Sequence, residues 1–198
     1  MVAIAAIALT FAATAGAALV PGVFDPGKTG CPVAVAQSGY LHLEKNCATT
    51  TNASAGANIT GLAGQPFTSA SFTLKSAAQC QGGSPRFNIV TTTSTFFLGC
   101  NNVTPVLNTD GTATYTFTAA TIAAGGNQVP VPTGTITSAE VLIDVQGVAD
   151  VKNVTVNGIA QNLAQGHKHG KHNNGKHKGD DNGHHGHHHE RDHDSDDD

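Results

Sequence analysis

Ten of the chain's eleven histidines lie in its last 32 residues. They are His167, His169, His172, His177, His184, His185, His187, His188, His189 and His193. Neutral imidazole is a good ligand for Zn²⁺, Ni²⁺ and Cu²⁺. Here it is interleaved with Gly, Asn, Lys and Asp, unlike the contiguous run of a purification tag. A flexible chain folds three or four imidazoles round one ion at modest entropic cost. The densest cluster runs from His184 to His189, and Asp192, His193 and Asp194 offer a carboxylate or a second site. The composition therefore predicts a tail that takes zinc, nickel or copper at several interchanging sites. No cofactor is expected in the rest of the chain.

The same imidazoles titrate. Residues 167–198 carry −3 with His neutral and +7 with all ten protonated. Unperturbed His changes charge near pH 6.5, so mild acid inverts the sign of the segment. Such a segment can attach to anionic cell-wall polymers in acid and release near neutrality. With no apolar residue from 166 to 198 it buries nothing, and the tail over 161–198 is expected to be disordered.

The remaining 166 residues hold only five basic and six acidic side chains. The whole chain is 12% charged, with a net charge of −4. No extended basic surface is available, which excludes a nucleic-acid partner. Hydrolase, metalloprotease and phosphate-loop patterns are all missing, so the reading is a non-enzymatic protein. Glu140 and Asp144 share one strand's parity, which is not the cleft-facing carboxylate pair of a glycosidase. His42 and Glu44 project from one strand face and read as a solvated pair. Arg86 is the only Arg of the body. It follows a Gly-Gly-Ser-Pro turn and can offer its guanidinium fork to a carboxylate or a sugar. Trp is absent, and Tyr115 shares parity with Phe117. Tyr40 is thus the expected platform for stacking a sugar ring. Tyr40 and Arg86 are the body's candidate ligand contacts.

Met1 to Val20 is an Ala-rich apolar run that ends in small residues, and Ala13-Thr14-Ala15 and Ala15-Gly16-Ala17 fit the signal-peptidase rule. No Lys or Arg precedes Lys28. Residues 1–20 are read as a secretion signal rather than a membrane anchor, with no stable span once it is cleaved. Residues 21–30 read as a Pro/Gly linker. The expected location is secreted or at the cell surface.

Four cysteines suit that compartment: Cys31, Cys47, Cys80 and Cys100. Three pairings are possible. Cys31–Cys47 with Cys80–Cys100 is preferred, because each closes a short loop around strand-like segments.

Positioning falls to residues 31–160, where the dominant period is two. Leu41 and Leu43 alternate with polar neighbours in Tyr40–Glu44. Ala70, Phe72 and Leu74 share one face, as do Phe87 and Ile89, then Ala113, Tyr115, Phe117 and Ala119, then Val141, Ile143 and Val145. Val154 and Val156 close the series. Phe67, Phe96 and Phe97 are also assigned to the core. Gly82-Gly83-Ser84-Pro85, Asn108-Thr109-Asp110-Gly111, Gly125-Gly126-Asn127 and Pro132-Thr133-Gly134 separate the runs. The prediction is an all-β fold, a single β-sandwich of jelly-roll or immunoglobulin-like type.

Gly82 to Ile89, followed by Phe96-Phe97-Leu98-Gly99-Cys100, resembles exported β-sandwich proteins of high-GC bacteria. Val151 to Gly158 is similar to the last strand of carbohydrate-binding-module-like jelly rolls. That resemblance implies a weak carbohydrate-binding module, since Trp is absent; the Thr/Gly-rich sandwich reads alternatively as a cell-surface structural or adhesive subunit. Lys152 stands where the pattern has an acid, which leaves its structural calcium without that ligand.

Overall fold

The computed structural model describes residues 16–163. The signal reading for residues 1–15 and the tail from 164 onward, with all ten tail histidines, lie outside the described residues. The described chain is all-β apart from one short α-helix and two single-turn 3₁₀ segments. In order its elements are β1 (Ala18–Phe24), β2 (Pro32–Gln37), β3 (Tyr40–Lys45), β4 (Ser54–Ile59), β5 (Ala70–Leu74), β6 (Arg86–Thr91), β7 (Thr95–Gly99), β8 (Val106–Leu107), β9 (Ala113–Phe117), α1 (Ala119–Ala124), β10 (Ile136–Ile143), β11 (Gly147–Val156), β12 (Ile159–Ala160) and β13 (Asn162–Leu163).

They build two sheets. The first runs β13-β1-β4-β10-β6-β7. The second runs β2-β3-β11-β5-β9-β8, with β12 paired to β11. Every pairing is antiparallel except β1 with β13. The arrangement is sandwich-like, because one apolar cluster takes residues from both sheets. Ala55, Ala57, Phe87, Ile89 and Val141 come from the first; Leu41, Leu43, Phe72, Phe117 and Val151 come from the second. At its centre Phe72 lies 5.4 Å from Phe87, 5.4 Å from Tyr115 and 5.8 Å from Phe117. Phe87 meets Phe117 edge-on, which suits the ring quadrupoles.

Both disulfides form in the preferred pairing, Cys31–Cys47 and Cys80–Cys100. The first closes the base of the β2–β3 hairpin, the second that of the β6–β7 hairpin. Loops of 16 and 20 residues correspond to about 3 kcal/mol each in the chain-entropy account.

Several details depart from the sequence reading. Residues 18–24 form β1, although the sequence divides them between the apolar segment and the linker. Leu19 is buried, and β1 pairs with β4 from Leu19 to Phe24. Pro21 is tolerated because beyond Leu19 only β4 flanks the strand. Sheet pairing also continues past residue 160, through β13. Phe97 is not core: 52% of it is exposed. Phe96 and Leu98 take the inward positions of β7, so Phe97 must point out. Ala119 leaves the strand to begin α1, which Thr118 and Thr121 cap reciprocally.

Candidate functional site

The outer face of the first sheet carries a continuous polar array. Strand register sets it. One row reads Val20, Asn58, Glu140, Asn88 and Phe97 across β1, β4, β10, β6 and β7. The next row, two residues along, reads Gly22, Gly56, Leu142, Arg86 and Gly99. Side chains at these positions stand on the face opposite the core.

The second row is low because three of its five members are glycines. Gly56 has no space for anything larger. A Cβ there would come within 2.7 Å of Leu142 Cβ and of the Val141 carbonyl oxygen. Leu142, almost fully buried, fills that position and forms the apolar floor. The result is a trough with two adjoining depressions of about 490 and 220 Å³. Both are lined by Phe24, Ser54, Glu140 and Leu142. The loop Thr49–Asn52 forms the rim of the larger one.

The polar side chains on the wall hold one another. Arg86 Nη1 donates to Asp144 Oδ2, and its Nε donates to Asn88 Oδ1 at 2.9 Å. Asn88 Nδ2 donates to Glu140 Oε1 at 2.6 Å. Ser84 Oγ donates to Asp144 Oδ1 at 2.7 Å. Partial burial by itself would raise the Asp144 carboxyl. The Ser84 hydroxyl and the Arg86 guanidinium outweigh it and hold the group below the usual carboxylate range. The guanidinium carbon also lies 5.3 Å from the centre of the Phe97 ring. Phe24 stands at the other end of the trough, 54% exposed. Arg86 therefore has both its expected structural partner and a place in a concave surface.

The rim is fixed from inside by Lys45, a residue that no sequence motif singles out. Only 1% of it is exposed. Its ammonium donates to the carbonyls of Thr49 at 3.0 Å, Thr51 at 2.7 Å and Asp144 at 2.7 Å. Parity contains the signal, since Leu41, Leu43 and Lys45 share the inward face of β3. An ammonium has three donors, and all three are used.

On the second sheet, Tyr40 is half-buried. Lys152 and Lys75 place their ammonium nitrogens 5.2 and 5.9 Å from its ring centre. Two lysines thus approach the Tyr40 ring. His42 is drawn into contacts as well. Its Nδ1 is 2.8 Å from Asp150 Oδ1 and its Nε2 3.7 Å from Glu44 Oε2. Burial would raise the Asp150 carboxyl, but the contacts from His42 and Gln79 prevail and lower it. Among the described residues no group of three or more His, Cys, Asp or Glu side chains is arranged to hold a metal ion. No described helix is long and apolar enough to cross a membrane. No family model, curated protein or solved structure matches the chain.

Proposed function

We propose that the protein is an exported β-sandwich, of jelly-roll or immunoglobulin-like type, that works by binding rather than catalysis. Its C-terminal segment collects divalent transition metals, and the sandwich is the stable body that carries this segment. The observation behind the reading is the run of ten histidines between His167 and His193, interleaved with Gly and Asn. The two disulfides are compatible with an oxidising compartment outside the cell. In the body, the carboxyls of the trough are engaged in positioning neighbours: Glu140 by Asn88, Asp144 by Arg86 and Ser84.

Calorimetric titration of Zn²⁺, Ni²⁺ and Cu²⁺ into the full chain tests the reading. It is repeated on a variant with His184, His185, His187, His188 and His189 replaced by Asn. The expected result is multi-site binding that the variant largely loses. Binding should also weaken from pH 7.5 to 5.5, because imidazole must shed its proton to ligate. Dissociation constants no tighter than about 1 mM for all three ions, equivalent to about 4 kcal/mol, would refute it.

A further inference from the structure

We propose that the smaller depression of the trough binds an alkylammonium group: a primary ammonium carried on a short apolar stem. This goes beyond the metal-binding reading and does not depend on it.

Charge comes first. Glu140 is the only charged side chain that lines the smaller depression. It stands on β10, between β4 and β6, and is half-buried. The other carboxylate of the trough, Asp144, is neutralised by Arg86. Among the described residues no lysine, arginine or histidine is paired with Glu140. A partly desolvated charge with no opposite charge beside it favours a cation there. A concavity lined by one sign of charge concentrates that attraction.

The wall selects the kind of cation. Asn88 Nδ2 donates to Glu140 Oε1 at 2.6 Å, which orients the carboxylate and leaves Oε2 for a ligand. One oxygen is a poor match for the two-pronged fork of a guanidinium. An ammonium is a compact charge with three rotatable donors. Oε2 accepts one of them. The side-chain carbonyl of Asn58, exposed and opposite Glu140 in register, accepts another. Water takes the third.

The floor selects the stem. Gly22 and Gly56 place no side chain in the way, and Leu142 adds an apolar surface. The exposed ring of Phe24 lines the same depression. By register it lies two rows from Glu140, four residues or roughly 13 Å along the strands. A short alkyl chain fits between them, with its head at Glu140 and its methylenes over the glycines toward the ring. The volume of about 220 Å³ is ample for such a group. A free aliphatic amine and a lysine side chain share this chemistry, and the probes below separate them.

The test titrates the full chain at neutral pH, with EDTA present so that no metal is left for the amine to ligate. Residue-resolved ¹⁵N–¹H correlation spectra report the depression by itself. The probes are pentylammonium and Nα-acetyl-lysine methylamide. Pentanol and pentanoate are the neutral and anionic comparisons. At least one ammonium probe should shift the amides of Gly22, Gly56, Asn58 and Glu140. Pentylammonium alone marks a free amine as the ligand, and the lysine probe marks a lysine side chain. Pentanol should bind at least about tenfold more weakly, and Glu140→Gln, which keeps an oxygen for Asn88, should weaken the ammonium about tenfold. Gly22→Leu keeps the carboxylate and fills the floor. A Cβ at Gly22 meets nothing within 4 Å, so the fold accepts the change and binding should be lost. Three outcomes overturn the proposal: no shift of these amides with either ammonium at about 20 mM, far weaker than typical recognition; pentanol or pentanoate binding as tightly as the ammonium; or undiminished binding in Glu140→Gln or Gly22→Leu.

Discussion

Replacing Lys45 by Met removes one charge and keeps most of the buried stem. The ammonium makes three hydrogen bonds to carbonyl oxygens at 2.7 to 3.0 Å. Bonds to a charged group contribute about 1.5–3 kcal/mol each, so the gross loss is about 5–9 kcal/mol. Part of this is recovered. Thr49 is exposed and Asp144 half-buried, so their carbonyls can turn toward water. The lysine's own desolvation cost also disappears. The net destabilisation expected is about 3–5 kcal/mol, in the range seen when one member of a buried polar group is removed. Urea unfolding followed by circular dichroism measures it, with the slope unchanged if only stability moves. The melting temperature should fall by about 9–15 °C, taking about 3 °C per kcal/mol for a domain of this size. A loss under about 1 kcal/mol would refute the reasoning. It would mean that the carbonyl cage gains nothing from its ammonium.

Two further outcomes are expected. Asp144 titrates below its ordinary value of 3.8 when folded, so its pairing stabilises the fold above that pH and is lost as pH falls through the lowered folded value. Asp144→Asn should therefore flatten the dependence of melting temperature on pH below about 4, and an unchanged acid limb would sink the assignment. Gly56→Ala should cost about 1–3 kcal/mol through overpacking against Leu142, measured by the same urea titration; a neutral result would show that Leu142 moves aside freely.

Much of the fold was legible because half-buried strands write their geometry at period two. The run Arg86–Thr91 has the bounds of β6, and Phe72, Phe87, Phe117 and Val141 are buried as their parity demands. β1 was not legible. Its Ala-rich start belongs to an apolar run that reads as a signal, and Pro21-Gly22 reads as a stop. Only pairing with β4, distant in sequence, makes Val20–Phe24 a strand. The trough was hidden for a similar reason. Gly22, Gly56, Leu142 and Arg86 come from four strands, and nothing local says that they share a row. Arg86 was singled out for its rarity and its turn, and Tyr40 for its ring, but only register shows which lies in a concavity. Lys45 and Phe97 could both have been placed by extending the alternation of their own strands one residue further.

Lys45 also separates the body from the ion content of its surroundings. Loops at the rim of a binding surface are often shaped by a cation gathered on main-chain oxygens, and such loops loosen when the ion is withdrawn. Here the cation is covalently part of β3 and cannot diffuse away or be captured by a chelator. Had a bound ion shaped this loop, it would have answered to any metal that the C-terminal histidines are proposed to take up. Because the charge beneath Thr49 and Thr51 belongs to the chain, the rim of the trough keeps its shape whatever ions surround it.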